Sequence, residues 1–503
     1  MADIHLGGEA IGIAEIVAVA RGGSTVALDD MARQRMNQSR ALIERFADEG
    51  RPVYGITRGL GGRVVHEIQE GEREGFSRIV VLARACGAGP YLPQEVIRAA
   101  LAARASSMAQ GGAGVRPLIV ETQCAMLNAG VHPLVPSVGS VGASDLPLLA
   151  NLALPLIGEG RAVYRDETVA GAEAMARAGL EPVEPLEKEG LALCSANSIS
   201  AGYGALALHD AAHIAELLDG IAVLTFEAFR ANPSPLDPRV VRSRAAPGQA
   251  RAAASLREKL AGSALFDAGE PRRLQDPISL RCVSHVHGSL RAAIDFCAPN
   301  VLVEINGAGD NPLVLADDEE ILSNGNFHTP AMAVAFDTLA LALSQTASLA
   351  AQRVARLMKN EFTDLPDLLT KRGMTHTGVA LLSLTAETLA KEIAMKAQPA
   401  SVFDSMGYPV EDHAPMTPLA VRKAAEALDL MEQLMATELI VAAQALDLRG
   451  LDQIAPVARA LRDRVRETVE PLDNDRSMTA DLERVTTMLR DGAFDACLDA
   501  GSG

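Results

Sequence analysis

Tryptophan is absent from this 503-residue chain, and aromatic residues of all kinds make up 3% of it. Sandwiches and barrels draw on aromatic and β-branched side chains, so this scarcity beside abundant Ala and Leu favours packed helices. Basic residues are in the minority too: 46 Lys and Arg stand against 64 Asp and Glu, a formal net charge of -18. The acidic excess is spread along the chain, which excludes the basic face of a nucleic-acid partner. Cysteine is sparse: Cys86, Cys124, Cys194, Cys282, Cys297 and Cys497 lie far apart without a CxxC pair. That excludes a disulfide framework or zinc site and fits reduced thiols in the cytoplasm. No charged-then-apolar leader opens the chain, and apolar runs are broken by charge, Gly or Pro before membrane-spanning length. A soluble, cytoplasmic protein with no membrane partner is expected.

What is there is a large apolar content, 48% of residues, enough to bury a sizeable core. Residues 1–190 alternate short helical runs with Gly-rich connections, including YGITRGLGG at Tyr54–Gly62 and ACGAGP at Ala85–Pro90. Glycines there permit backbone conformations closed to other residues, as in loops that line sites. Residues 191–450 change to long helical periodicity, with Ala205–Arg230, Ala331–Met358, Gly378–Ala397 and Pro418–Leu446 mostly Ala, Leu, Val and Ile. Helices apolar nearly all round must be buried by neighbours, at the centre of a large bundle or an oligomer. Residues 451–503 are more charged and read as peripheral helices. The predicted architecture is mainly α, a long central helical bundle with a smaller N-terminal α-rich portion carrying the site loops.

One loop stands out chemically, GSVGASDLPLLA at Gly139–Ala150. It is accompanied, in order, by YGITRGLGG at Tyr54, LARACGAGP at Leu82, LQDPISLRC at Leu274, EINGAGDNPLV at Glu304, NGNFH at Asn324 and KAQPASVFDSMGYPVEDH at Lys396. From about Asp3 to Arg490 this set resembles the histidine and aromatic amino-acid ammonia-lyases. The resemblance implies a fumarase-like long-helix fold, a homotetramer whose active sites combine residues from three subunits, and a small amino-acid substrate. In that family an Ala-Ser-Gly run before Asp-Leu cyclises into the electrophile methylidene-imidazolone. Here Ala143 and Ser144 are followed directly by Asp145. The missing glycine is the one whose amide attacks the alanine carbonyl, unobstructed by a Cβ. Residues 143–145 therefore read as a degenerate loop, and no cofactor is expected.

The same resemblance distributes roles. Tyr54 is the base that takes the substrate's β-proton, a role that nearby cations favour; without the other motifs it reads first as a tyrosine anchoring a turn. Arg281 matches the arginine that holds the substrate carboxylate in its planar fork, or else pairs with a neighbouring acid. Asn311 in DNP and Phe327 in GNFH match pocket residues, and Gln275 and Asn197 are further substrate-binding candidates. Asn306 and Asp310 read as readily as loop caps. Glu411 in VEDH matches the Glu-Asp-His run of histidine lyases, where phenylalanine and tyrosine lyases carry Gln. A carboxylate accepts an imidazole N–H and stabilises its cation, but loses hydration uncompensated against a phenyl ring. Otherwise Glu411 is a charge at a helix N-terminus. His285 and His287 have no third ligand at a telling spacing, so no metal is expected. Ser144 and Asp145 also fit a cap on the helix that follows them.

Three departures coincide on the electrophile: the deleted glycine, Ile278 where the family's PYSLR has tyrosine, and Ser195 where its LLNGT has asparagine. Coordinated loss suggests that the electrophile is no longer used. A primary amine leaves an α-carbon poorly unless it is converted into a better leaving group, whereas a quaternary trimethylammonium leaves as neutral trimethylamine. A base, a carboxylate clamp and a ring grip then suffice. This points to the branch of the superfamily that works without the electrophile, the thiol-histidine betaine lyases or ergothionases, which turn ergothioneine into trimethylamine and thiourocanate. Arg84 replaces the ring-contacting His of the family's LSHAA with a permanent cation suited to a thione or thiolate, or else balances the acidic surface. Tyr54, Phe327 and Tyr408 are the aromatic faces available to a trimethylammonium group. Two alternatives stand beside this: an ammonia-lyase that cyclises its loop through the Asp145 amide, and an inactive homologue acting as a partner subunit.

Overall fold

The computed structural model describes residues 3–69, 71, 75–402, 410–450 and 453–501. Helices dominate, and the expected apolar stretches are the helices Ser198–Phe229, Pro330–Leu357, Ala380–Lys396 and Thr417–Arg449. Their Ala- and Leu-rich sequences leave few polar side chains to compete for backbone hydrogen bonds. Two runs, Glu189–Phe229 and Pro330–Leu357, are long and apolar enough to cross a membrane, contrary to the reading of interrupted runs. Their most apolar stretches lie largely inside the protein, so their hydrophobicity is spent on packing.

Contacts divide the chain into two units, each drawn from three separate pieces, which differs from the consecutive parts 1–190, 191–450 and 451–503. The first unit is Met1–His209, Cys297–Phe336 and Pro399–Arg422, and the second is Asp210–Phe296, Asp337–Gln398 and Lys423–Gly503. Four of the five divisions fall inside long helices, Ser198–Phe229, Val283–Asn306, Pro330–Leu357 and Thr417–Arg449, and the fifth, between Gln398 and Pro399, follows helix Ala380–Lys396. Composition is continuous along each of them, so it gives no sign of the change.

The first unit carries the short strands. Asp3–Leu6 pairs in parallel with Thr25–Leu28, and Ala88–Tyr91 pairs antiparallel with Pro136–Val138. Helix Asp30–Asp48 begins where the Asp29 carboxylate accepts the Met31 and Ala32 amides at 2.8 and 3.3 Å, satisfying donors the first turn leaves free. Helix Gln94–Ala109 is Ala-rich and buried almost throughout. The short helix Glu189–Cys194 crosses helix Phe76–Arg84 at Gly190, where a Cβ would stand 2.0 Å from the Ser77 carbonyl oxygen. Only glycine permits that approach, which sets Leu191 and Arg84 on one wall.

The second unit buries charge in its helical core. Arg353 and Glu438 are both fully buried and bond at 2.6 and 2.8 Å, with the Thr225 hydroxyl donating to the same carboxylate at 2.8 Å. His287 sits in helix Val283–Asn306 with Nδ1 2.7 Å from Asp219, whose other oxygen accepts from Arg291 at 2.8 Å. His285 instead faces Gln249. Neither histidine belongs to a metal-binding group among the described residues.

Candidate active site

A cleft of about 800 Å³ in the first unit gathers most of the residues singled out in the sequence: Tyr54, Arg84, Ala143, Ser144, Asn311, Phe327 and Glu411. Tyr54 is half-buried on the loop before Gly61, whose backbone N–H donates to the phenol oxygen at 2.8 Å. That bond fixes the ring and supplies a donor to the oxygen that carries charge once the phenol gives up its proton. Gly61 has a positive φ of 56°, and a Cβ there would stand 3.1 Å from Glu411 Oε1, so base and carboxylate meet across one glycine. Glu411 makes no hydrogen bond or ion pair among the described residues, and Arg84 bonds only the Val80 carbonyl, at 3.2 Å. An unpaired anion and an unpaired cation therefore line the same cleft. Asn311 Oδ1 accepts the Asn324 amide at 3.0 Å, leaving its NH2 group for a ligand.

The floor is the degenerate loop. Ser144 adopts a left-handed φ of 59°, its N–H donates to the Phe327 carbonyl at 2.9 Å, and its hydroxyl lies 3.4 Å from that of Ser195. The Asp145 N–H donates to the Ala196 carbonyl at 2.7 Å. Its side chain does not cap the helix it precedes, Leu146–Ala153, as the sequence suggested. The carboxylate instead accepts the Ser200 amide at 2.8 Å and the Ser200 hydroxyl at 3.1 Å, capping helix Ser198–Phe229. Asn197 lies beneath the wall, with Nδ2 donating to the Phe327 carbonyl at 2.7 Å; it supports Phe327 and does not line the cleft. Asp310 is no loop cap: it is fully buried and paired with Arg104. Asn306 bonds both the N–H and the carbonyl of Ile11.

Gln275 and Arg281 belong to the second unit and are absent from the lining of this cleft; Gln275 is exposed and Arg281 half-buried. Tyr408 lies outside the described residues. Sequence reasoning missed His328 and His413, which line the cleft and bond each other at 2.8 Å. Both close motifs quoted above, NGNFH and VEDH, so the signal was present but carried by residues read only as neighbours.

Burial pushes the Asp145 carboxyl up to about 7, against hydrogen bonds from Ser200 and Ile199 that favour its charge. Burial likewise raises Glu304 to about 7, with Asp145 adding to the rise and the Asn197 side chain opposing it. A carboxyl raised in the folded state binds its proton more tightly there than in the unfolded chain. Its stabilising contribution is full below the unfolded value of about 4.3 and is lost as pH rises through about 7. Glu304→Gln keeps a polar partner for Asn197, so thermal melts should find it gaining on the wild type between about pH 5 and pH 8. A constant offset across that range would rule out the buried charge as its origin.

The motif order and the helical fold agree with the comparisons to known proteins. The model of the family described as aromatic amino acid lyase matches residues 11–467. The chain belongs to that family. It is 40% identical to the histidine ammonia-lyase of Symbiobacterium thermophilum over 492 residues, 97% of each chain. With the histidine ammonia-lyase of Gloeobacter violaceus it shares 39% identity, covering 99% of this chain and 98% of that one. Among solved structures it is similar to the ergothioneine-degrading ergothionase of Treponema denticola, with a TM-score of 0.94 and 29% identity over 98% of this chain and 99% of that one. The histidine ammonia-lyase of Trypanosoma cruzi aligns with a TM-score of 0.91 and 31% identity, over 99% and 95%. The chain is a carbon-nitrogen lyase of the ammonia-lyase superfamily.

Proposed function

We propose that this lyase works without methylidene-imidazolone and cleaves the Cα–N bond of a histidine-derived betaine of the ergothioneine type, releasing trimethylamine and an α,β-unsaturated acid. The observation that carries the proposal is the state of the loop. Cyclisation needs the amide nitrogen after Ser144 to attack the Ala143 carbonyl, and here that nitrogen belongs to Asp145, carries a neighbouring Cβ and is bonded to Ala196 at 2.7 Å. The residues present do not fit the electrophile, so the chemistry has to run on the chain's own side chains.

Tyr54, as the phenolate, takes a β-proton; the C–H electron pair becomes the Cα=Cβ bond, and the Cα–N pair departs with nitrogen as neutral trimethylamine. Glu411 accepts the ring N–H and Arg84 faces the sulfur, matching the two unpaired charges in the cleft. Phe327 and Tyr54 offer faces to the quaternary ammonium. Arg281 and Gln275 clamp the carboxylate from neighbouring copies of a cytoplasmic homotetramer with shared sites. The substrate is a small molecule, with no nucleic acid or membrane as partner.

The names of the sequence relatives favour a second reading, histidine as substrate and ammonia as product through an atypically formed electrophile. Incubating the protein with ergothioneine, hercynine, histidine, phenylalanine and tyrosine, with trimethylamine and ammonia recorded, separates the two. Trimethylamine from ergothioneine and an unmodified peptide over residues 138–149 are expected. Ammonia from histidine with a loss of two waters from that peptide would replace the proposal with the second reading. No product from any substrate would leave the inactive partner subunit.

A further inference from the structure

We propose that His328 and His413 are positioning residues, a clasp that holds Glu411 at the mouth of the cleft and so sets the grip on the substrate ring. This rests on the ring-gripping role given above to Glu411. His328 Nε2 and His413 Nδ1 lie 2.8 Å apart, with ring centroids 5.0 Å apart and planes at 66°. Two neutral imidazoles make such a bond when one nitrogen donates and the other accepts. Burial and the neighbouring His413 hold His328 below its ordinary pKa, which favours its neutral form.

Location gives the bond its consequence. The segment carrying Glu411 is seated further along, where the Met416 N–H donates to the Val141 carbonyl at 2.8 Å. The Thr417 hydroxyl there meets the Thr329 hydroxyl at 2.9 Å and carbonyl at 3.1 Å. Nearer to Glu411, the His413–His328 bond is the one hydrogen bond from residues 410–415 among the described residues. His328 is a firm anchor, because its backbone pairs with Ala143 and the adjoining Phe327 carbonyl accepts from Ser144 and Asn197. Glu411 lies against Gly61, whose N–H holds the Tyr54 hydroxyl. The clasp therefore fixes the distance between ring grip and base through two loops far apart in sequence.

Two measurements test it. Hydrogen exchange of the Met416 amide, which donates to the Val141 carbonyl next to the clasp, should quicken in His413→Leu and return towards the wild-type rate in His413→Gln, whose side-chain amide can still bond His328. With ergothioneine as substrate, His413→Leu should raise KM about tenfold, ~1.4 kcal/mol, with kcat moving less than about twofold. In a Glu411→Gln background the same substitution should move KM less than about twofold, because a group acting through Glu411 has nothing left to position. Unchanged exchange, or a KM effect that persists undiminished in the Glu411→Gln background, would overturn the clasp. A wild-type protein inert towards ergothioneine would sink the betaine reading instead, and the exchange comparison would still decide the clasp.

Discussion

Tyr54→Phe should abolish turnover while the protein melts at nearly its wild-type temperature. The phenylalanine keeps the ring in the cleft, half-buried as Tyr54 is, and removes only the oxygen that accepts the Gly61 amide at 2.8 Å. Losing one partly exposed hydrogen bond costs about 1 kcal/mol or less. Losing a general base costs roughly 10²- to 10⁴-fold in rate, and here no second base shares the position. His328 and His413 line the same cleft but are bonded to each other, and Glu411 meets Tyr54 only across Gly61. The variant should therefore lose about 10³-fold in kcat/KM, ~4 kcal/mol, with substrate affinity little changed. A variant retaining more than about a tenth of wild-type kcat would end the assignment of Tyr54 as base.

The cleft was legible in the sequence to the extent that it is built from short motifs. Tyr54, Asn311, Phe327 and Glu411 sit on loops whose glycines and spacing are local properties, Arg84 ends helix Phe76–Arg84, and the five converge. What was not legible is how buried polar groups choose partners. Asp145 stands at the start of one helix and caps another, because the Ser198–Phe229 helix brings its free amides to the carboxylate. Asn197 reads as a site residue and serves as a strut to Phe327. The His328–His413 bond joins residues with |i−j| of 85, a pairing no window of sequence displays. For the fold, helical periodicity located Pro330–Leu357, Ala380–Lys396 and Thr417–Arg449 closely, began at Ala205 a helix that starts at Ser198, and did not single out Val283–Asn306. It said nothing of where contacts divide along them, since a helix apolar on every side looks the same in either unit.

Asp310→Asn should destabilise the protein by about 3–5 kcal/mol, more than any single change on the cleft wall. Asp310 and Arg104 have fully buried side chains and bond at 2.8 and 3.3 Å, while Arg104 also donates to the Ala192 carbonyl. Lys188 is buried as well, its Nζ has no hydrogen-bond partner, and burial depresses it to about 8 with Asp310 opposing that fall. Two cations thus depend on one carboxylate, and an amide in its place leaves both buried and uncompensated. The cleft should register the loss, because Asp310 adjoins Asn311, its carbonyl accepts from Asn324, and Ala192 adjoins Leu191 of the wall. Denaturant melts of Asp310→Asn, Asp310→Leu, Arg104→Met and the Arg104→Met/Asp310→Leu pair decide the origin of the effect. The double variant should recover stability relative to Asp310→Asn, since it strands Lys188 alone where Asp310→Asn strands two cations. Additive losses would instead assign the cost to packing at each position, and the buried pair would hold no more than its own volume.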